Sequence, residues 1–330
     1  MKKVGQTLKN WKSFIIFTDC FRISRLGDAG EGCRNSRLLP SLGQLVYLNK
    51  LKIRGLYDVV KIGGEFFDNA SSFVSVPFRS LKTLHFKHMS SWNEWSFSRR
   101  NGEDGVFPSL TSLKISSCRQ LVKLISGAPQ HEAHTPFPCL DYIYLKNCPK
   151  LESFLEWGSF STLVSIRIYN CEKLFQLRAQ GNLQRFKSLK KLSLLFCDDA
   201  MDSFPEEGLL PTTLTWLHIS GFRNLTALNG KGLQQLTSLE VLWIDDCMKL
   251  ECLPEEGLPS SLSSLFIYAS PSLMERCQRE EGEDWSKIAH ISRVTINCEF
   301  PKIILHLYLF FCFYYFHLLF FLPLYLVIIN

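Results

Sequence analysis

The 330-residue sequence has few of the features that would indicate an enzyme, a metalloprotein or a nucleic-acid-binding protein. Its 12 cysteines include no Cys-x-x-Cys pair, which is the usual spacing of zinc ligands. Gly27, Gly30 and Gly32 are not followed by Gly-Lys-Ser/Thr, so a phosphate loop there would lack its lysine and its hydroxyl. No nucleophile–base pair or acidic dyad stands out. The net charge of +6 is too small to indicate nucleic acid without a clustered patch, and a hydrophobic content of 46% excludes wholesale disorder.

A recurring apolar frame fills most of the chain. Leu239, Leu242, Ile244 and Cys247 follow the pattern L-x-x-L-x-L-x-x-C. Full copies begin at Leu110, Leu140, Leu163 and Leu189, degenerate copies at Leu48, Leu81, Leu214 and Leu262, and a last half-copy at Ile291. Ten copies in register, at spacings of 23 to 33 residues, predict a leucine-rich-repeat protein.

The alternation inside each copy predicts how the repeats pack. In Leu242–Trp243–Ile244 the two aliphatic side chains point one way from a strand and the ring points the other way. A single short strand cannot bury its apolar face, so stacked copies must share one core. We therefore predict an α/β leucine-rich-repeat solenoid, a horseshoe with a parallel β-sheet on its concave face, followed by a C-terminal hydrophobic helix. The return legs should close the coil with a second apolar pair in each copy: Leu121/Leu124, Leu151/Phe154, Leu174/Leu177, Leu225/Leu228 and Leu250/Leu253.

Five of the cysteines occupy the last position of the frame, namely Cys118, Cys148, Cys171, Cys197 and Cys247. We predict a buried ladder with each thiol near turn carbonyls, because cysteine is small and apolar enough to stack there. Reduced thiols favour a cytoplasmic protein. A disulfide or zinc interpretation of these cysteines stays open, as does a metal site formed by His131 and His134 on a proline-rich loop near Cys139.

Three segments are predicted from the pattern. Residues 1–37 are unassigned, and their apolar run Phe14–Phe17 is too short for a signal peptide. Residues 38–297 form the repeat domain, with a cap at 271–297 that shields the last repeat. Residues 298–330 form a hydrophobic tail.

The tail from Ile303 to Asn330 contains no Asp, Glu, Lys or Arg. A helix of this length would reach about 42 Å at ~1.5 Å per residue, more than the ~30 Å hydrocarbon core of a membrane. Residues 303–329 are therefore long enough for a membrane anchor, which would leave the repeats in the cytoplasm. Tyr314 and His317 lie mid-segment, however, and the composition also fits translated non-coding sequence, so read-through and a buried soluble helix remain alternatives.

Two inserts lengthen the early repeats, at residues 57–77 and 90–107. The second insert contains the tryptophan-rich stretch Ser91–Trp95. We predict that its two indole rings pack on the edge of the solenoid.

Some stretches carry more detail than the leucine frame, namely Pro77–Leu84 with Met89, Trp92–Trp95, Leu253–Leu265, Arg276–Glu280 and Asp284–His290. These stretches resemble plant disease-resistance proteins of the coiled-coil, nucleotide-binding, leucine-rich-repeat type, over about residues 38–297. The resemblance implies repeats that sense a pathogen effector, directly or through a guarded host protein, and that restrain a nucleotide switch. The chain has no phosphate-loop lysine motif and no room for the coiled coil or nucleotide domain. ATP, ADP or another cofactor is therefore not expected, and a truncated gene product is predicted.

The outward positions of the strands form the predicted binding face. Its amino-terminal half is basic, with Lys50, Lys52 and Arg54 on the first strand, and its carboxy-terminal half is aromatic. We hypothesise that cations attract an acidic partner, which aromatic and arginine side chains anchor. The alternative is that the rings only stack on each other. The predicted partner-binding residues are Tyr142, Tyr144, Arg167, Tyr169, Trp216, Trp243, Phe266 and Tyr268.

These observations predict a protein-recognition module of plant innate immunity that binds an effector or host protein. They predict no catalysis, no metal, no nucleic acid and no nucleotide. Two other functions stay open. The chain could be a generic repeat adaptor, such as the substrate arm of a ubiquitin ligase, or a truncated product without function.

Overall fold

The computed structural model describes residues 13–16, 23–24, 42–43, 45–63, 66, 76–96, 107–126, 136–155, 160–176, 183–197 and 201–297. Its strands are β1 (Ser13–Ile16), β2 (Ile23–Ser24), β3 (Lys50–Arg54), β4 (Lys61–Ile62), β5 (Thr83–Lys87), β6 (Glu94–Ser96), β7 (Ser112–Ser116), β8 (Lys123–Ser126), β9 (Tyr142–Lys146), β10 (Ser153–Phe154), β11 (Ser165–Tyr169), β12 (Lys191–Leu195), β13 (Ser203–Phe204), β14 (Trp216–Ser220), β15 (Ala227–Leu228), β16 (Val241–Asp245), β17 (Ser264–Tyr268) and β18 (Arg293–Asn297). Its helices are α1 (Lys173–Gln176), α2 (Gly230–Gln234), α3 (Pro271–Arg276) and α4 (Trp285–Ile288), with a 3-10 turn at Leu183–Arg185.

One long sheet runs through the molecule. It has 12 strands in the order β18-β17-β16-β14-β12-β11-β9-β7-β5-β3-β1-β2, and its pairs from β1 to β18 are parallel. Equivalent frame positions face each other across each pair, as Leu217 faces Leu242 and Ile219 faces Ile244. The predicted α/β leucine-rich-repeat solenoid with its parallel sheet is confirmed. The predicted C-terminal helix lies outside the described residues.

The aliphatic positions of the frame form the core. Leu242 and Ile244 are fully buried, and so are their counterparts in neighbouring strands. The return-leg pairs are buried too, and only Leu177 lies outside the described residues. Several return legs also form strands, which pair in a second sheet of order β10-β8-β6-β4. The apolar interior therefore lies between the long sheet and the return legs, as stacked repeats require.

The cysteine ladder is also buried. The thiols of Cys118 and Cys148 donate to the carbonyls of Ser116 and Lys146 at 3.5 and 3.4 Å, and Cys197 donates to Leu195 at 3.3 Å. These bonds satisfy carbonyls at the turn after each strand, as the sequence predicts. In the degenerate copy that begins at Leu262, Ser270 replaces the cysteine, and its hydroxyl donates to the Tyr268 carbonyl at 3.0 Å.

A left-handed residue follows each repeat strand from β3 to β17. Asn147 (φ 53°), Asn170 (φ 50°) and Asp246 (φ 52°) hold this position in three repeats, and Gly55 and Gly221 hold it in two others. Its amide bonds to the last carbonyl of the next strand, as Asn147 does to Tyr169 at 2.9 Å. This bond links successive repeats at the place where each strand must turn away.

The second insert contributes to the interior. Trp92 and Trp95 both have 0% exposure, and their rings lie 4.9 and 5.3 Å from the ring of Phe86. The prediction that these rings pack on the solenoid edge is therefore wrong. The large aromatic side chains of this insert therefore fill part of the core.

The sheet extends at both ends beyond the regular repeats. In the unassigned leader, Ser13–Ile16 pairs in parallel with Lys50–Ile53, so the sheet begins before the predicted start at residue 38. At the other end, α3 contacts β17, and Leu273 and Met274 of this helix are buried.

Within the part of the chain that the structure describes, no helix has the length and apolarity needed to cross a membrane. The predictions for the tail concern residues outside that part.

Candidate functional site

The outer face of the long sheet presents three rows of side chains. Because the strands pair in register, each outward position lies beside its equivalent in the next strand. The first row runs from Lys50 through Tyr142 to Trp216, the second from Lys52 through Tyr144 and Arg167 to Trp243, and the third from Arg54 through Tyr169 to Tyr268. A ligand on this face would therefore meet several repeats at once.

The amino-terminal half of this face is positively charged. No Asp or Glu lies on β3, β5, β7, β9 or β11. Burial lowers the pKa of the Lys52 ammonium, and the nearby charges of Arg54 and Lys114 lower it further. The pKa of Lys87 is lowered by burial and then by Lys52, Arg54 and Lys146. These cations are close enough to repel one another.

His85 lies within this positive region and stays neutral. Burial, followed by the charges of Lys52 and Lys114, lowers its pKa to about 3. Its Nε2 lies 2.9 Å from the Ser116 hydroxyl, a hydrogen bond that the neutral ring can make. His85 is therefore a polar part of the surface and adds no charge near neutral pH.

Two of the lysines make cation–π contacts with tyrosine rings. The Lys114 ammonium lies 5.7 Å from the centre of the Tyr142 ring, and the Lys146 ammonium lies 4.5 Å from that of Tyr169. Such contacts contribute about 0.5–1 kcal/mol at exposed sites. Tyr142, Tyr144, Arg167 and Tyr169 are partly exposed, so the structure brings these four predicted residues together on one accessible area.

The carboxy-terminal half of the face is a stacked ring cluster of Trp216, His218, Trp243, Phe266 and Tyr268. Trp243 lies between its neighbours, with ring centres 5.4 Å from His218, 4.8 Å from Phe266 and 5.5 Å from Tyr268. Trp243 is only 8% exposed and Tyr268 only 4% exposed, whereas Trp216 and Phe266 are partly exposed. Trp243 and Tyr268, although predicted to bind a partner, are therefore largely covered by neighbouring rings on the sheet.

Two polar residues that were not among the predicted partner-binding residues also lie on the carboxy-terminal half of the face. His218 is 3% exposed, and burial together with the charge of Arg167 lowers its pKa to about 3. Asp245 accepts a hydrogen bond from the Ser220 hydroxyl at 3.0 Å, and burial raises its pKa to about 6. Both occupy outward positions of the frame, which is the signal that could have identified them. The face therefore changes from cationic to aromatic, with a carboxylate near its far end.

Two of the buried cysteines, Cys247 and Cys277, resist ionisation. Burial raises the pKa of the Cys247 and Cys277 thiols to about 12, so neither is a thiolate at neutral pH. No group of three or more His, Cys, Asp or Glu in the described ranges could hold a metal ion. Cys139 is exposed, whereas its proposed partners His131 and His134 lie outside those ranges.

Comparison with known proteins adds a consistent set of relatives. No protein-family profile matches the chain. The chain is 30% identical over 258 residues to a disease resistance protein of Arabidopsis thaliana, covering 70% of this chain and 17% of that protein. It is 28% identical over 266 residues to an RPP13-like disease resistance protein of the same organism, covering 78% and 21%. The RGA4 disease resistance protein of Solanum bulbocastanum is 29% identical over 318 residues, covering 81% and 26%.

The chain thus spans only 17 to 26% of the length of these three relatives. Among solved structures, the leucine-rich repeat domain of the type III effector XopL superposes with a TM-score of 0.47 at 20% identity, covering 70% of this chain and 72% of that domain.

Proposed function

We propose that this chain is a protein-recognition region of plant innate immunity. The proposal starts from two findings: the chain is a leucine-rich-repeat solenoid, and its curated homologues are plant disease resistance proteins. In this proposal it senses a pathogen effector or a guarded host protein through the outer face of the long sheet. It acts by binding and carries no chemistry of its own.

The observation that carries the proposal is the separation of scaffold and surface within each repeat. The aliphatic and cysteine positions are buried in every full copy of the frame, as Leu242, Ile244 and Cys247 illustrate. The intervening positions differ from strand to strand and point outward. Such a scaffold holds a large set of varied side chains in fixed register, which suits recognition of another protein.

The proposed location is the cytoplasm. The five ladder cysteines are free thiols with carbonyl partners, an arrangement that suits a reducing compartment. Pathogen effectors that act inside the host cell would meet the chain there.

Binding to individual effectors tests the proposal. The full chain and each member of an effector panel would be co-expressed in leaf tissue, and complexes would be recovered and measured with purified components. Changing Tyr144 and Arg167 together to Ala should weaken binding of a recognised effector at least tenfold, because partly exposed tyrosine and arginine side chains give interfaces much of their energy.

A matched pair on the return-leg side is the control. Glu152 and Lys173 form an exposed ion pair at 3.1 Å, and changing both to Ala should leave effector affinity within about twofold. The proposal would be contradicted if the Glu152/Lys173 variant lost effector binding while the Tyr144/Arg167 variant kept it, because recognition would then lie on the return-leg side.

A further inference from the structure

One carboxylate lies among the aromatic side chains of the outer face. Among the described strands of the long sheet, Asp245 is the only Asp or Glu. It lies beside Tyr268 of the next strand, so Phe266, two positions before Tyr268, is its diagonal neighbour. With ~4.8 Å between strands and ~3.3 Å per residue, the positions of Asp245 and Phe266 lie roughly 8 Å apart. One long side chain of a partner can therefore contact both.

The Asp245 carboxylate is partly shielded from water and has no cationic partner among the described residues. It accepts the Ser220 hydroxyl at 3.0 Å, and no described ion pair includes it. The nearby charge that acts on its pKa is that of Asp246, which is also negative. No Lys or Arg lies on β14, β16 or β17, and Arg293 of β18 lies in the first row beside Ser264. A carboxylate in such surroundings is stabilised when a cation approaches it.

The rings beside Asp245 indicate which cation fits. Phe266 is partly exposed and stacks on Trp243, with ring centres 4.8 Å apart and planes inclined by 26°. Arginine combines a flat face that stacks on an aromatic ring with a fork of donors that matches a carboxylate, whereas the lysine ammonium is a strongly hydrated point charge.

We propose that Asp245 and Phe266 together bind an arginine side chain of the partner protein, with its guanidinium paired to the carboxylate and its flat face against the ring. This inference deepens the proposed function and rests on it. Each of the strands β3, β5, β7, β9 and β11 carries Lys or Arg and no Asp or Glu, so a partner arginine is repelled there and attracted at Asp245. The position of the arginine would thus fix the register of the partner on the sheet.

Selection of peptides on the full chain tests this inference. A phage-displayed library of random peptides, about 12 residues long, would be selected in parallel on the wild type, on Asp245→Asn and on Glu240→Gln. Arginine should be enriched over lysine on the wild type, and the enrichment should disappear on Asp245→Asn. Asparagine keeps an oxygen for the Ser220 hydroxyl, so the fold should be kept, as circular dichroism would verify.

Glu240→Gln is the matched control. Glu240 is exposed and precedes β16, whereas Asp245 is the last residue of the same strand. The variant therefore removes the same charge from the other end of one strand, and it should keep the enrichment of arginine.

A synthetic copy of an enriched peptide would give the affinities by fluorescence anisotropy. Binding should weaken at least about tenfold with Asp245→Asn, because a partly desolvated charge pair loses one partner. Phe266→Leu keeps an apolar side chain and should weaken binding about two- to fivefold through loss of the ring. Citrulline has the shape of arginine without its charge. Placing it in the peptide should weaken binding to the wild type about tenfold and leave binding to Asp245→Asn almost unchanged, because the two changes remove the same contact.

Two results would overturn the inference. Equal enrichment of lysine and arginine would show that no stacked guanidinium is recognised. Equal loss of affinity with Asp245→Asn and Glu240→Gln would show that the peptide responds only to net charge.

The two proposals fail differently. If a recognised effector loses affinity in the Tyr144/Arg167 variant but the selected peptides show no enrichment of arginine, the arginine site is wrong and the recognition function stands. If arginine peptides require Asp245 but no effector or host protein depends on Tyr144 and Arg167, the recognition function is wrong.

Discussion

At the scale of single residues, the turn after each strand limits which side chains the repeat accepts. The left-handed position suits glycine and asparagine, yet Phe196 occupies it with φ 52°. The Phe196 ring lies over the next repeat, where Gly221 (φ 69°) holds the equivalent position. A Cβ on Gly221 would lie 2.2 Å from this ring. The large residue in one repeat therefore requires glycine in the next.

Gly221→Ala should accordingly destabilise the protein by about 2–5 kcal/mol. The left-handed conformation costs a non-glycine residue roughly 1–2 kcal/mol, and crowding against a packed ring adds about 1–3 kcal/mol. Urea unfolding followed by circular dichroism would measure the change.

Gly257 provides the comparison, because its φ is 75° and a Cβ there would meet nothing within 4 Å. Gly257→Ala should cost only the conformational part, roughly 1–2 kcal/mol. If both variants lose the same stability, the contact with Phe196 does not determine the identity of residue 221.

The residue scale also shows what the sequence could predict about the outer face. The frame correctly identified which positions point outward, because strand alternation depends only on spacing. It did not predict how exposed each ring is to solvent. Trp243 is covered by Phe266 and His218, which are neighbours across strands and lie more than 20 positions away in the sequence.

At the scale of elements, a buried carboxylate in the C-terminal cap bonds to the last repeats. Asp284 has a side chain that is 1% exposed, and it accepts the amide of Leu253 at 2.9 Å. Its oxygens also pair with Arg276 at 3.2 Å and with Lys287 at 3.0 Å. Burial favours the neutral acid, but these three donors together outweigh it and hold the pKa of Asp284 below its ordinary value.

Asp284→Ala should therefore loosen the cap and cost about 2–4 kcal/mol, because two cations and a buried amide lose their common partner. Hydrogen exchange should rise first in α3, α4 and β18. Glu255 also contacts Lys287, at 3.2 Å, but is 91% exposed, so Glu255→Ala should change stability by less than about 0.5 kcal/mol. Equal effects of the two variants would refute the role given to Asp284.

The same carboxylate gives the cap a defined pH dependence. A carboxyl whose pKa is lower in the folded state stabilises the fold above its unfolded pKa of about 3.9, and this stabilisation is lost as the pH falls through the folded pKa. The stability difference between the wild type and Asp284→Ala should therefore be constant near neutral pH and shrink below about pH 4.

Elements outside the regular frame were the hardest to predict. The regular strands were easier to predict, because the same apolar spacing recurs in ten copies and each copy supports the others. Ser13–Ile16 and Trp92–Trp95 occur once each, so only their contacts reveal that the first extends the sheet and the second fills the core. Local spacing contains no information about those contacts.

At the scale of the whole molecule, each repeat depends mainly on its two neighbours. The repeat strands lie beside one another in sequence order, so stability should be close to a sum over repeats and their interfaces. A complete repeat should then be removable, provided that the two repeats brought together are compatible.

Residues 140–162 offer such a repeat, because their removal joins Cys139 to Leu163 and preserves the frame. The repeats on either side end in Cys118 and Cys171, which have the same size and the same carbonyl contacts. The shortened chain should remain folded and unfold in one cooperative transition at a lower temperature. Removing only residues 140–150 should abolish folding of the adjoining repeats, since it takes away a strand but leaves its return leg. Thermal unfolding followed by circular dichroism distinguishes the two, and equal disruption by both deletions would show that coupling extends beyond nearest neighbours.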